Sequence, residues 1–456
     1  MTPPQATRLA WITASPLRLT LLAFALACCT AWLRPLLLPD EGRYAGVAWE
    51  MLRSGDWLTP TLNGLPYFHK PPLFYWLTAS SLAVFGLHEW AARLAPATGF
   101  ALAIASMTWL LSRWLPGPGW RWLLLALTSQ PLLLVGGQYA NLDMLVAGFI
   151  TLTICAFAHG ALSLDAGRPA RAALQIGWVA AACGVLAKGL IGIVIPAGVV
   201  GLWLLSALRW RLILRVLLAC PEGPVRRPAQ ESDKAAAELW RLGWVWVVVV
   251  VAFFSIPKSK LVGYILPAVP PLALLATLCL MTRSKSRDTP GRGWLVASGI
   301  GIAASLATVL TATFIHLPSS RGIAQTLKTR VQGDSPVVML GRFDFDTPLY
   351  AQLQRPMWVV DQWNDEARMR ARDNWRKELA DAAAFDRRHA EQVLITPDAL
   401  PARLCAAPAS WLVSARDPGP WTILQAAEPV THWRNSTLWR FDPRGAAASW
   451  CASLPK

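Results

Sequence analysis

The chain has 456 residues, 54% hydrophobic and only 15% charged, with a mean hydropathy of +0.37. Soluble domains carry about 25% charged residues, so this composition argues against a purely soluble enzyme, and disorder, which needs low hydrophobicity and high charge, is excluded. The net charge of +16 comes from 43 Lys and Arg against 27 Asp and Glu. These cations lie mainly between apolar runs, which fits a multi-pass membrane protein with basic loops on one side. Nucleic acid is therefore not expected as a partner.

The first apolar run spans Leu17 to Leu38, with Arg8 and Arg18 at its start and no small-residue cleavage site after it. It reads as an uncleaved membrane helix. Residues 39–88 mix charges, Pro, Gly and aromatics, and predict a long outer loop with one or two surface-lying amphipathic helices. Further runs at 90–112, 122–137, 142–163, 174–188, 190–208, 242–256, 261–281 and 294–315 bring the expected spans to nine.

Basic residues set the orientation. Arg113, Arg121, Arg168, Arg171 and the clusters in 209–241 and 283–292 fall on one side, while the short opposite loops hold only Lys188, Lys258 and Lys260. The N-terminus is thus expected in the cytoplasm, with 39–88 and 317–456 outside. Residues 209–241 are basic and contain Pro, and predict a cytoplasmic linker with an interfacial helix at Arg209–Cys220 and an irregular stretch at 221–233. The tail shows short β-type runs at Val337–Leu340, Met357–Val360, Val393–Ile395, Trp411–Val413 and Trp421–Leu424, with a charged helical stretch from Glu366 to Gln392. The expected architecture is an α-helical polytopic membrane domain, 1–316, followed by a small outer α/β domain, 317–456. Cys28, Cys29, Cys155, Cys183 and Cys279 lie in apolar runs and read as small buried residues. Cys405 and Cys451 lie in polar sequence, where an oxidising compartment would allow a disulfide.

The densest polar cluster, Asp40-Glu41-Gly42-Arg43-Tyr44, follows the first span. Asp143 opens the fourth span, also on the expected outer side. Each carboxylate could simply cap a helix. Two carboxylates on one face could instead supply a base, a metal ligand or an electrostatic stabiliser. Lys70, in Tyr67-Phe68-His69-Lys70-Pro71-Pro72, is either a snorkelling anchor or a cation for a lipid phosphate. Lys188, Lys258 and Lys260 run against the basic asymmetry, and that mildly favours function.

Asp40-Glu41-Gly42-Arg43-Tyr44, Gly55-Asp56-Trp57-Leu58-Thr59-Pro60, Leu62-Asn63-Gly64 and Lys70-Pro71-Pro72-Leu73 resemble the first outer loop of the GT-C lipid-phosphate-dependent glycosyltransferases. The likeness is to the bacterial aminoarabinose transferase branch, related to the protein O-mannosyltransferases. Leu186-Ala187-Lys188-Gly189 and Phe254–Leu261 with Tyr264-Ile265-Leu266-Pro267 resemble later signatures. The resemblance implies a bacterial inner-membrane enzyme with a polyprenyl-phosphate sugar donor, a lipid or glycan acceptor such as lipid A, and transfer on the periplasmic side. It implies Asp40 as catalytic carboxylate and Asp143 as the second essential one. Arg43, Tyr44, Tyr67, Lys70, Lys188, Lys258, Lys260 and Tyr264 would contact the donor.

Two departures stand out. His69 stands where the family usually has a Glu associated with a divalent ion, which makes His69 the candidate metal ligand here. Relatives also carry a further block of spans where this chain has only 209–241, which leaves a non-catalytic or truncated member as an alternative. A transporter or flippase is a third reading. No inverted repeat and no mid-span charge support it.

Overall fold

The computed structural model describes residues 15–207, 231–258, 260–283, 291–315, 317–331, 333–417, 419 and 421–454. They form two compact units: one comprises the chain up to Leu33 and Arg93–Ile315, the other Arg34–Ala92 and the chain from residue 316 on.

The first unit is helical: α1 (Pro16–Thr30), α2 (Leu94–Trp114), α3 (Gly119–Thr128), α4 (Pro131–Gly137), α5 (Leu142–Asp165), α6 (Arg171–Lys188), α7 (Ile191–Ser206), α8 (Glu231–Ser255), α9 (Val269–Arg283) and α10 (Arg292–Phe314). Among the described residues, five segments are long and apolar enough to cross a membrane: Leu94–Trp114, Leu142–Asp165, Asp233–Ser255, Val262–Arg283 and Arg292–Phe314. The 3-10 turn Val262–Ala268 runs directly into α9. Every run expected to span contains a helix, but α1 and α7 have only 15 and 16 residues, fewer than the roughly 20 of a perpendicular span. The run 122–137 is broken into α3 and α4, because Pro131 pushes Gln130 into an extended conformation. Helix α8 starts at Glu231, inside the stretch expected to be linker. Its opening Lys234-Ala235-Ala236-Ala237-Glu238-Leu239 consists of strong helix formers. The expected interfacial helix Arg209–Cys220 lies outside the described residues.

Small residues bring the helices together. A Cβ added to Gly148 on α5 would lie 2.3 Å from the Gly99 carbonyl oxygen on α2, and one on Gly99 would lie 2.3 Å from that of Met144. Gly184 of α6 and Gly192 of α7 meet in the same way. Apolar helices in lipid gain van der Waals contact only by such close approach, and α5 becomes the buried centre of the unit.

The second unit is α/β. β1 (Thr61–Leu62) and β2 (Leu65–Pro66) form a hairpin whose turn residues Asn63 and Gly64 have φ of 54° and 78°, the conformation that an Asn-Gly pair supplies. A six-stranded sheet contains β3 (Val337–Leu340), β4 (Trp358–Val360), β5 (Leu394–Ile395), β6 (Ser410–Ala415), β7 (Glu428–Trp433) and β8 (Ser436–Phe441), in the order β5-β4-β3-β6-β8-β7. β5, β4, β3 and β6 are parallel; β8 and β7 continue antiparallel. Val338, Leu340, Val360, Ile395, Leu412 and Phe441 form its core. Trp421–Leu424 is not the expected strand but enters a 3-10 turn, Thr422–Ala426, packed on that core. The charged stretch divides into helices Glu366–Arg370, Trp375–Ala383 and Arg387–Val393, each capped by a side chain, from Asp365, Asn374 and Asp386 respectively. A disulfide joins Cys405 to Cys451.

Residues 34–92 fold into this same unit. Helix Asp40–Ser54 lies so close to the loop after β3 that a Cβ on Gly46 would sit 2.7 Å from the Phe345 carbonyl oxygen. The Asn63 amide donates to the Met357 carbonyl at 2.9 Å and accepts from the Met357 N–H at 2.8 Å. Buried Glu50 accepts from Thr61 Oγ1 and from the N–H groups of Asn63 and Gly64. Burial raises its carboxyl above the ordinary range, against those bonds.

Candidate active site

Asp40 is the first residue of its helix, and the capping position belongs to Pro39. Its carboxylate turns to Arg43, whose Nη2 donates to Asp40 Oδ1 at 2.5 Å, one helical turn on. The other guanidinium nitrogen, Nη1, donates to Glu378 Oε1 of helix Trp375–Ala383. The Tyr67 hydroxyl donates to Glu378 Oε2 at 3.1 Å. Tyr44 stands beside Arg43, its ring centroid 4.9 Å from the guanidinium carbon. One cation is thus shared by two carboxylates and flanked by two phenols. Asp40 is the accessible member, with a side chain 34% exposed against 8% for Glu378.

Burial weakens the guanidinium's hold on its proton, but Tyr44, Glu378, Tyr67 and Asp40 outweigh it and raise Arg43 above its ordinary value. Burial first, and neighbouring Asp40 and Glu378 after it, push the Tyr44 phenol up to about 12. Tyr67 is raised further, by burial and then by the charge of Glu378. Both phenols therefore stay protonated; Tyr67 donates to Glu378, while the Tyr44 hydroxyl accepts from Arg43 Nη2 at 3.5 Å. Two buried donors have no hydrogen-bond partner among the described residues: Arg43 Nε and the hydroxyl of Tyr75, whose ring centroid lies 6.2 Å from that of Tyr44.

A second pair lies in the helical unit. Asn141 caps α5 by accepting from the Asp143 N–H, which spares the Asp143 carboxylate from capping. Lys188, the last residue of α6, donates to Asp143 Oδ1. The ammonium lies 4.9 Å from the Tyr264 ring centroid, and Tyr264 stacks on Phe254. Gly263 presses against the pair: an added Cβ would lie 2.2 Å from Asp143 Oδ2.

The profile of the dolichyl-phosphate-mannose-protein mannosyltransferase family matches residues 18–257, more than half of the chain. The chain belongs to this family. Similar family members include an undecaprenyl phosphate-alpha-4-amino-4-deoxy-L-arabinose arabinosyl transferase of Sodalis glossinidius, 29% identical over 68% of this chain and 66% of that protein. The corresponding transferase of Pseudomonas aeruginosa is 30% identical over 54% of this chain and 56% of that protein. The chain therefore spans between about half and two thirds of the length of these relatives. Crystal structures of ArnT from Cupriavidus metallidurans share the fold at 21% identity. The apo form covers 96% of this chain and 99% of that one with a TM-score of 0.71; the form bound to undecaprenyl phosphate covers 92% and 97% with a TM-score of 0.72.

Of the other residues to which the family resemblance assigns a role, Lys70 is half-buried and makes no ion pair among the described residues, and Lys258 and Lys260 are exposed. His69 pairs with Asp381 at 3.4 Å and leans on the Tyr67 ring. Both line a cavity of about 360 Å³ that also contains Arg370 and Lys377. A lone carboxylate, a His and two cations do not fit a divalent ion, and among the described residues no three His, Cys, Asp or Glu side chains gather to hold one. Glu378 was missed in the sequence. It sits in a charged run, between Lys377 and Leu379, that reads as a solvated helix face.

Proposed function

We propose that the chain is an integral glycosyltransferase of the bacterial inner membrane, with nine crossings and both ends of the outer loop on the periplasmic side. It moves 4-amino-4-deoxy-L-arabinose, the sugar named in its relatives, from undecaprenyl phosphate to a periplasmic acceptor such as lipid A. The observation that carries the reading is the Asp40–Arg43–Tyr67–Glu378 cluster, built on the ordered motif of the first outer loop. Asp143, paired with Lys188, is the second essential carboxylate.

The acceptor oxygen attacks the anomeric carbon, the bond from that carbon to the donor phosphate oxygen breaks, and undecaprenyl phosphate leaves with the electron pair. Arg43 and Lys70 stabilise the charge on the departing phosphate. Where the acceptor is a hydroxyl, Asp40 takes its proton. Where it is a phosphate, no proton need move, and Asp40 faces the positive charge that develops on the sugar.

The test is transfer of radiolabelled sugar from the undecaprenyl-phosphate donor to lipid A in membranes that contain the chain. Asp40→Asn keeps size and removes charge, and should lower transfer about 10²–10⁴-fold at unchanged membrane content. Transfer at the wild-type rate would return Asp40 to a structural role. Absence of transfer by the wild-type chain would favour the non-catalytic reading.

A further inference from the structure

The tail of the chain supplies one group to the Asp40 cluster that neither motif nor family likeness assigns. We infer that Glu378 is a positioning residue, which sets the place of the Arg43 guanidinium and the Tyr67 phenol for the donor. The inference rests on the function proposed above.

Each oxygen of the Glu378 carboxylate has its own partner. Oε1 accepts from Arg43 Nη1 and Oε2 accepts from the Tyr67 hydroxyl at 3.1 Å. Both partners come from the outer loop, more than 300 residues earlier in sequence. The carboxylate is buried and fixed on a helix capped by Asn374, so it is a rigid anchor. Arg43 is a long side chain with several rotors, and its position follows from what it binds. With Glu378 holding Nη1, only Nη2 reaches Asp40. Without that anchor, the fork can turn and grip Asp40 with two parallel bonds, the geometry that guanidinium and carboxylate prefer. Arg43 would then be withdrawn from the donor and Asp40 masked by its own neighbour.

The orphaned Nε of Arg43 points the same way. A buried N–H without a partner costs free energy that a fully satisfied cluster would not. A guanidinium held short of full pairing is suited to receiving an anionic oxygen, which a phosphate group of the donor supplies.

Glu378→Gln keeps the shape and a hydrogen bond to Tyr67 but removes the charge that anchors Arg43. With the undecaprenyl-phosphate aminoarabinose donor and lipid A in membranes, kcat should fall about ten- to a hundredfold, the cost of a reacting group displaced by about an ångström, while the donor KM changes less than threefold. In an Arg43→Lys background the same substitution should cost less than twofold, because the fork it positions is gone. The thermal midpoint of the purified full chain should stay within a few degrees. Should Glu378→Gln fail to accumulate, Glu378→Asp, which keeps the charge but retracts it, must show the same kcat loss. Full activity of either variant, or equal losses in the wild-type and Arg43→Lys backgrounds, would overturn the inference. Loss of activity in Asp40→Asn together with full activity in Glu378→Gln would sink only this inference; full activity in Asp40→Asn would sink the reading beneath it.

Discussion

The two units hold charge in opposite ways. In the helical unit one ammonium meets one carboxylate, Lys188 on Asp143, closed in by Gly263 and the Tyr264 ring. In the α/β unit one guanidinium serves two carboxylates, with Arg43 between Asp40 and Glu378. Removing one partner of a buried pair leaves the charge of the other poorly compensated. The shared guanidinium divides its two terminal nitrogens between two carboxylates and keeps Nε unpartnered among the described residues.

This contrast can be broken first in the helical unit. Lys188→Met leaves the Asp143 carboxylate without its ammonium and should destabilise the chain by about 3–5 kcal/mol, measured by thermal unfolding in detergent. A loss as small as that of an exposed surface pair would mean the two clusters do not differ in kind.

Next comes the covalent tie that, among the described residues, lies in the α/β unit. Cys405 and Cys451 are 46 residues apart and bridged. The double substitution to Ser should cost about 2–4 kcal/mol, seen as earlier proteolysis within 317–456 while 94–206 stays protected. Equal loss of protection in both segments would show that the units unfold together.

The smallest effect is a pH dependence confined to the α/β unit. Burial, and then the charge of Asp344, hold the Asp346 carboxyl at about 6, above its ordinary value of 3.8. Folding thus favours its protonated form. Its ionisation opposes folding above pH 6, and that opposition fades as the pH falls from 6 towards 4. The unfolding free energy of the wild type should rise over this window relative to Asp346→Asn, by at most on the order of 3 kcal/mol. Parallel curves for the two chains would refute the assignment.

Much of this was legible in the sequence. Apolar runs and sparse charge announce a membrane bundle, and the first-loop motif places Asp40, Arg43, Tyr44 and Tyr67 in one short stretch. Four of the five expected strands appear within a few residues of their places. β7 and β8 did not announce themselves. β7 is an edge strand carrying Glu428 and Pro429, exposed along much of its length, so it lacks the alternation that marks a half-buried strand. Trp421–Leu424 has a strand-like apolar composition, but Pro418-Gly419-Pro420 leads into it and favours a turn. Glu378 was unreadable for a different reason. Its partners are fixed by tertiary contact alone, and a Glu among Arg376, Lys377 and Asp381 looks like a wet helix face.

The Asp143–Lys188 pair also bears on biogenesis. Helices α5 and α6 are consecutive, joined by only a short connection, and the carboxylate lies in the first turn of one while the ammonium ends the other. A charge costs about 2.5–3.5 kcal/mol to insert at the centre of a bilayer helix and less near its ends, where both of these lie. Together they cancel. During synthesis α5 leaves the ribosome with its charge unmatched, and its partner follows only when residue 188 has been made. The economical course is for the two helices to wait at the translocon and enter the lipid as a hairpin with the Asp143 and Lys188 charges already paired. Nascent chains that stop short of Lys188 should then leave α5 poorly inserted.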